Sequence, residues 1–135
     1  MSDPALGLQG ALVVRLKASS ALAAIIGDRV YDLPPKGPQY PYLTLGEDQV
    51  IGDDADCYDG SEVYLTLHAW SRAVGFPEVK RIVAAMRDAL HLAPLAISDH
   101  RLVELRYQDA RYLRDPDGLT SHAVITFRAL LEPVA

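Results

Sequence analysis

With 135 residues, half of them apolar, the chain can bury one hydrophobic core and falls within the size range of one domain, here residues 1–135. Its net charge of −5 disfavours a nucleic-acid reader, because affinity for phosphate backbones depends on clustered lysines and arginines. The single cysteine, Cys57, excludes an internal disulfide and a metal cluster built on thiolates. The lack of a long apolar run and of a basic, apolar N-terminal leader predicts a cytoplasmic protein without a membrane partner.

The charge is distributed unevenly along the chain. Residues 1–60 hold 9 acidic and 4 basic residues, whereas residues 61–135 hold 9 of each, so the whole negative excess lies in the first half. If copies pack head to tail, an acidic patch on one copy could contact a basic patch on the next. The alternative is an ordinary acidic loop in solvent.

Two helical elements are predicted at the N-terminus. The first runs from Pro4 to Ser19, with Asp3 or the serine before it as N-cap. Its buried stripe recurs at helical spacing and comprises Ala5, Leu8, Leu12 and Leu16. A second short turn follows over Ala21 to Ile26 and ends at Gly27.

The middle of the chain predicts a loop and two strands. Val30 and Tyr31 form a short extended piece before a loop that contains three prolines. One strand is predicted from Tyr42 to Gly46, and a second from Val63 to Trp70, in which alternate residues share one face. That face comprises Val63, Leu65, Leu67 and Ala69. The polar stretch Gly52 to Gly60 would connect the two strands as an antiparallel pair with a long loop.

The second half predicts a helix and then a hairpin. Pro77 starts the helix, whose apolar stripe comprises Val79, Ile82, Val83, Met86, Ala89 and Leu90. Two strands, Leu102 to Leu113 and Leu119 to Leu131, flank the segment Arg114 to Gly118, which is typical of a tight turn. The element order predicts an α+β fold, an antiparallel sheet of about four strands with two main helices packed on one face.

Residues capable of chemistry occur without a recognisable catalytic or metal-binding pattern. Four histidines lack the spacing of a metal site and are expected to be structural. They are His68, His91, His100 and His122. An acidic loop contains Asp53, Asp54, Asp56 and Asp59. Its spacing fails the EF-hand pattern, and Cys57 within it has no neighbouring base. We therefore predict no catalytic residue, no metal and no cofactor.

A set of arginines lies along the first strand and the turn of the last hairpin. It comprises Arg101, Arg106, Arg111 and Arg114. One interpretation is that these residues are solvated and protect a sheet edge from unwanted pairing. The other interpretation is a subunit contact, in which these arginines bind the acidic loop of another copy. The four arginines and the four aspartates of the acidic loop are therefore candidates for a subunit interface or a ring lumen. Trp70 and Tyr64 are expected to pack against a helix or a neighbouring molecule.

Several segments, taken in order, resemble one family. They are Leu12 to Ala18, Ala21 to Asp32, Pro41 to Gly46, Leu65 to Ser71, Arg114 to Gly118 and Phe127 to Ala129. Together they resemble the small tail-completion or tail-terminator family of long-tailed phages, prophages and gene transfer agents. The resemblance extends over nearly the whole chain.

The resemblance implies a structural protein, not an enzyme, that forms a ring, usually hexameric, on the head-proximal end of a tail tube. The ring would stop tube polymerisation and join the tube to the neck. Its partners would be copies of itself, the tail tube protein and a neck or head-closure protein, and DNA would pass through without specific binding. Assembly would take place in the bacterial cytoplasm, and the protein would then belong to the tail–neck junction of a phage-like particle.

Two alternatives remain open at this point. The first is a neck or head-closure protein of similar size. The second is a small dimeric α+β ligand-binding module or enzyme with a pocket between helix and sheet.

Overall fold

The computed structural model describes residues 3–53 and 60–134, and of Asp53 it describes the backbone only. The described part contains three helices and six strands. In chain order they are α1 (Pro4–Ala18), α2 (Ser20–Ile26), β1 (Val30–Tyr31), β2 (Tyr42–Asp53), β3 (Gly60–Ser71), α3 (Pro77–Leu90), β4 (Ala96–Ile97), β5 (His100–Arg114) and β6 (Ser121–Pro133).

The six strands form one sheet in the order β1-β2-β3-β6-β5-β4. The α+β class is confirmed, but the predicted numbers of about four strands and two main helices were wrong. The two added strands, β1 and β4, have two residues each. β1 coincides with the short extended piece predicted at Val30 and Tyr31, whereas β4 was not predicted, since so short a segment shows no alternation in sequence. β1 also pairs with β2 in parallel, with Val30 beside Leu43, so the sheet is not wholly antiparallel.

The N-terminal elements form where predicted. Asp3 caps α1, and its side chain accepts a hydrogen bond from the Ala5 N–H at 2.8 Å. The expected short turn is a full helix, α2, which is capped by Ser19 and ends at Gly27 with φ of 62°. No single helix of the described residues is long and apolar enough to cross a membrane, and α1 and α2 meet that criterion only together, as a pair bent by 80°.

β2 extends well beyond its predicted end at Gly46. It pairs with β3 along its whole length, from Tyr42 beside Trp70 to Asp53 beside Gly60. Its second half is exposed, so no alternation of apolar residues marks it in sequence. The register shifts between Leu45 and Asp48, which places a bulge at Gly46 and the residue after it.

The core lies between the helices and one face of the sheet. The predicted inner face of β3 is confirmed, because its four apolar residues are all buried, namely Val63, Leu65, Leu67 and Ala69. α3 begins at Pro77 as predicted and buries the whole predicted stripe, namely Val79, Ile82, Val83, Met86, Ala89 and Leu90. α3 packs over β3, β6 and β5, while α1 packs against α3 and β2.

The predicted hairpin of β5 and β6 is confirmed. In the turn, Asp117 accepts hydrogen bonds from the N–H groups of Leu119 at 2.8 Å and Thr120 at 2.9 Å. Gly118 follows with φ of 72°, a conformation that glycine adopts without strain. β5 begins two residues before its predicted start at Leu102, and β6 ends two residues after its predicted end at Leu131.

Candidate interaction surfaces

The face of the sheet opposite the helices, here called the open face, carries polar and aromatic side chains. On β3 and β6 the odd-numbered residues are buried under the helices, so the even-numbered ones point to the open face. Among them are Tyr64, His68, Trp70, His122 and Arg128. Trp70 and Tyr64 therefore lie on the face away from the described helices of their own chain, which leaves a neighbouring molecule as the predicted partner.

Two of the four histidines meet on the open face. His68 and His122 lie on neighbouring strands, with Nδ1 of His68 2.7 Å from Nε2 of His122. The Trp70 ring stacks on His122 with centroids 3.8 Å apart, and its Nε1 donates to Thr44 Oγ1 at 3.1 Å. Burial lowers the pKa of His68, and burial followed by the neighbouring His68 lowers the pKa of His122. The geometry therefore favours a neutral pair sharing one proton between the two facing nitrogens.

The other two histidines lie away from this pair. His91 follows α3, and its Nδ1 accepts a hydrogen bond from the Tyr107 N–H at 3.0 Å. His100 is buried at the start of β5. Within residues 3–53 and 60–134, no group of three or more histidine, cysteine, aspartate or glutamate side chains could hold a metal ion. His68, His91 and His122 form hydrogen-bond contacts between neighbouring elements, whereas the buried Nδ1 of His100 has no hydrogen-bond partner among the described residues.

Two of the four candidate arginines have partners within the chain. Arg101 pairs with Glu132 of β6, and Nη2 of Arg106 lies 2.6 Å from Oε1 of Glu104. The hydrogen bond from Arg106 lowers the pKa of Glu104. Exposed ion pairs such as these add little to stability, so they leave both arginines open to exchange partners.

Arg111 and Arg114 lie on opposite faces of the sheet. Arg111 is exposed beside Val124 on the open face and has no ion pair with another described residue. Arg114 is on the helix side, with its guanidinium carbon 4.6 Å from the centre of the Phe76 ring. The four arginines therefore do not form one patch.

The acidic loop lies almost entirely outside the described residues. This applies to Asp54, Asp56 and Asp59. Asp53 ends β2, where its backbone pairs with Gly60. The role of these four aspartates at an interface or lumen stays a prediction.

A groove that the sequence analysis did not identify lies between α3 and β5, with a volume of about 570 Å³. Two cations of α3 lie over two tyrosines of β5. Nζ of Lys80 is 5.1 Å from the centre of the Tyr112 ring, and the guanidinium carbon of Arg87 is 4.8 Å from that of Tyr107. Such contacts hold a cation over an aromatic ring. These four residues define the basic groove, whose lining also includes one carboxylate, Asp88.

Two hydrogen bonds join the segment directly after α3 to β5. The Tyr107 N–H donates to the ring of His91, and the Leu92 N–H donates to the Leu105 carbonyl at 2.7 Å. Lys80 and Arg87 are seven residues apart, a spacing that places them on one side of a helix and that is visible in sequence. Their tyrosine partners could not be assigned, because the position of β5 beside α3 depends on the whole fold.

Acidic side chains lie at the opposite edge of the sheet, near the start of α1. Desolvation, followed by the charges of Asp3 and Asp32, raises the pKa of Asp48 on β2. Asp32 accepts a hydrogen bond from Gln9 Nε2 at 3.2 Å. None of these three aspartates forms a salt bridge with another residue that the structure describes. Asp3, Asp32 and Asp48 define the acidic edge.

Comparison with known sequences identifies one family. The family described as tail completion protein gp17 matches residues 10–132. The tail completion protein gp17 of Bacillus phage SPP1 is 26% identical to this chain over 121 residues, which cover 90% of this chain and 89% of that protein. The match therefore includes every described strand and helix apart from the first turns of α1 and the end of β6.

Two solved structures resemble the chain over nearly its full length. A chain in the virion of a native gene transfer agent particle superimposes with a TM-score of 0.90 and 32% identity, covering 98% of this chain and 99% of that one. The structure of bacteriophage SPP1 gp17 gives a TM-score of 0.64 and 22% identity, covering 96% of this chain and 90% of that one. At that identity the second comparison supports the fold alone.

Proposed function

The chain belongs to the tail completion protein gp17 family, and on that premise we propose that it forms a ring on the head-proximal end of a tail tube. The ring stops polymerisation of the tube and joins it to the neck. Because the family and the relatives are structural tail completion proteins, the protein is not an enzyme. The enzyme alternative is thereby removed.

The observation that supports a ring is the separation of opposite charges on the sheet. The acidic edge adjoins β1 and β2, whereas the basic groove adjoins β5, near the other end of the strand order. A contact between two different surfaces repeats from copy to copy and closes into a ring when the rotation allows it. The proposed ring has six subunits, as the resemblance implies.

The proposed place of the ring is the tail–neck junction of a phage-like particle. The 32% identity to a chain of a gene transfer agent virion supports a position in such a particle. The partners are then further copies of the chain, the tail tube protein and a neck or head-closure protein. Before it becomes part of the particle, the ring assembles in the bacterial cytoplasm.

The acidic loop is proposed to line the lumen, where negative charge would let DNA pass without neutralising its phosphates. Changing Asp53, Asp54 and Asp56 to asparagine should then increase DNA retention in assembled particles without preventing assembly. DNA release measured by nuclease protection would test this. Unchanged DNA passage would contradict the lumen assignment.

The alternative place for the acidic loop is a contact between copies instead of the lumen, and in that case the arginines of β5 on the next copy are its proposed partners. Reversing both Arg106 and Arg111 to glutamate should weaken assembly and leave the monomer folded, because both side chains are exposed. Sedimentation velocity and circular dichroism would measure the two properties. Ring formation at the wild-type level would reject this contact.

The function itself is tested on tail tubes. Purified protein is added to growing tubes, and tube ends and lengths are followed by negative-stain electron microscopy. We expect a cap at one end of each tube and an end to elongation there. Binding to portal-associated neck proteins without any effect on tubes would instead favour the neck or head-closure alternative.

A further inference from the structure

We propose that the basic groove is the docking surface for the acidic edge of a second copy of this chain. The proposal rests on the ring described above and names the surfaces that form its contacts. It differs from the contact between β5 arginines and the acidic loop, because both surfaces lie on the helix side of the sheet and consist of described residues.

Within one copy, the two surfaces are held apart. β2 and β5 are separated by β3 and β6, which places them about 14 Å from each other at the usual strand spacing. An ion pair needs its charged atoms within about 4 Å, so the cations of the groove cannot reach the acidic edge of their own copy. The acidic edge of a second copy can supply the partner for these cations.

Both strands also have long stretches without a strand partner on their outer side. β1 pairs only with Leu43 and Thr44 of β2, and β4 pairs only with His100 and Arg101 of β5. The remainder of each outer edge is unpaired with any described strand. Unpaired strand edges are the usual place where another chain docks beside a sheet.

The two surfaces lie at the same level of the sheet. Asp48 pairs with Leu65, Leu65 with Phe127, and Phe127 with Tyr107, so Asp48 and Tyr107 belong to one row across four strands. Asp48 also lies on the helix side, next to Leu8 of α1. If the sheet of a second copy continues that of the first, Asp48 approaches Tyr107 and the Arg87 above it.

The charges of the two surfaces are complementary, and none of the five charged side chains has a salt bridge to a described residue of its own copy. Desolvation, followed by the negative charges of Asp3 and Asp32, raises the pKa of Asp48, so a cation brought beside this carboxylate would favour its charged form. Lys80 and Arg87 are already positioned over aromatic rings, so they lose little conformational freedom when they bind. Complementary charges also fix the register between two copies.

Charge reversal in the full-length protein tests the proposal. The groove variant carries Lys80→Glu and Arg87→Glu, and the edge variant carries Asp32→Lys and Asp48→Lys. Each variant alone should self-associate about tenfold or more weakly than the wild type, because two close charge pairs become repulsive. Sedimentation equilibrium measures the affinity of self-association. If the wild type assembles only on tail tubes, the capping of tube ends is measured instead.

Complementation makes the test specific. A mixture of the groove and edge variants should regain assembly, since each acidic groove now meets a basic edge. A single chain with all four substitutions should regain it alone. The control, Lys36→Glu with Arg81→Glu, makes the same charge change at exposed positions outside both surfaces and should assemble like the wild type.

A cross-link gives a second, positional readout. In a Cys57→Ser background, Asp48→Cys with Arg87→Cys should form disulfides between copies under mild oxidation, whereas Lys36→Cys with Arg87→Cys should not. Wild-type assembly of both reversed variants, or absence of the cross-link in assembled rings, would overturn the docking surface and leave the ring itself standing. Failure of the wild-type protein to assemble or cap tubes would instead reject the proposed function.

Discussion

At Gly46 the backbone of β2 lies close to the ring of His68. A Cβ at this position would be 2.6 Å from Nε2 of His68 and 2.9 Å from the Thr66 carbonyl oxygen. The ring is held by its contact with His122, and the carbonyl belongs to the backbone of β3, so neither atom is free to move away. The bulge in β2 and the histidine pair therefore both depend on a residue without a side chain.

Replacing Gly46 by alanine should lower the free energy of unfolding by about 1–3 kcal/mol, the usual cost of overpacking. Urea denaturation would measure it. Gly52→Ala is the matched control on the same strand, because a Cβ there meets no atom of the described residues within 4 Å. An equal effect of the two substitutions would contradict the steric explanation.

The His68–His122 pair predicts loss of stability in mild acid. Burial lowers the pKa of both rings in the folded state, whereas in the unfolded chain both titrate near the usual value of about 6.5. As the pH falls below about 6.5, the unfolded state binds more protons than the folded state. The contribution of this pair to the free energy of unfolding therefore decreases with falling pH and is constant well above about pH 6.5.

Urea denaturation at a series of pH values measures this dependence. His122→Gln removes one titrating ring and should make the decrease below about pH 6.5 shallower than in the wild type. His91→Gln serves as the comparison, since His91 lies outside the pair. If His122→Gln and the wild type lose stability equally, the pair is not the source of the acid sensitivity.

At the scale of elements, the β5–β6 hairpin depends on its turn. Asp117 accepts hydrogen bonds from Leu119 and Thr120, which lower the pKa of its carboxyl group. Gly118 then reverses the chain with a positive φ. The turn brings β5 beside β6 in the register that places Tyr107 and Tyr112 under α3.

Gly118→Ala should lower the free energy of unfolding by about 1–2 kcal/mol, because a Cβ is strained at positive φ. A Cβ at Gly118 has no neighbour within 4 Å in the part of the chain that the structure describes, so the loss is conformational and not steric. Gly118→Asn should cost less, since asparagine tolerates this region better. Chemical denaturation should show that stability decreases from the wild type to Gly118→Asn to Gly118→Ala. An alanine variant as stable as the wild type would refute this explanation.

At the scale of the whole molecule, charge is separated across the sheet, and assembly should therefore depend on ionic strength. Raising salt from about 0.05 M to 0.5 M shortens the screening length and should weaken self-association or tube capping. The variant with all four charges exchanged should show the same dependence. Assembly that is unaffected or strengthened by salt would point to apolar contacts between copies instead.

Local patterns predicted much of the fold. α1, α3, the inner face of β3 and the final hairpin all follow from periodicity, a proline at a helix start and turn residues, which act over a few neighbouring positions. The extended conformation of Val30 and Tyr31 was predicted, but not their pairing with β2. The strand β4 and the second half of β2 could not be predicted, because they are defined by a partner strand rather than by their own residues.

By itself, the sequence determined the α+β class, the resemblance to a tail-completion family and the uneven charge, because these follow from residue types and their order. Only the tertiary structure decided where those charges lie. It paired Arg101 and Arg106 within the chain, separated Arg114 from Arg111, and placed Lys80 and Arg87 over tyrosines of a strand distant in sequence. The reason is physical: a surface forms from residues that the packing of strands and helices brings together, and no local pattern records that packing.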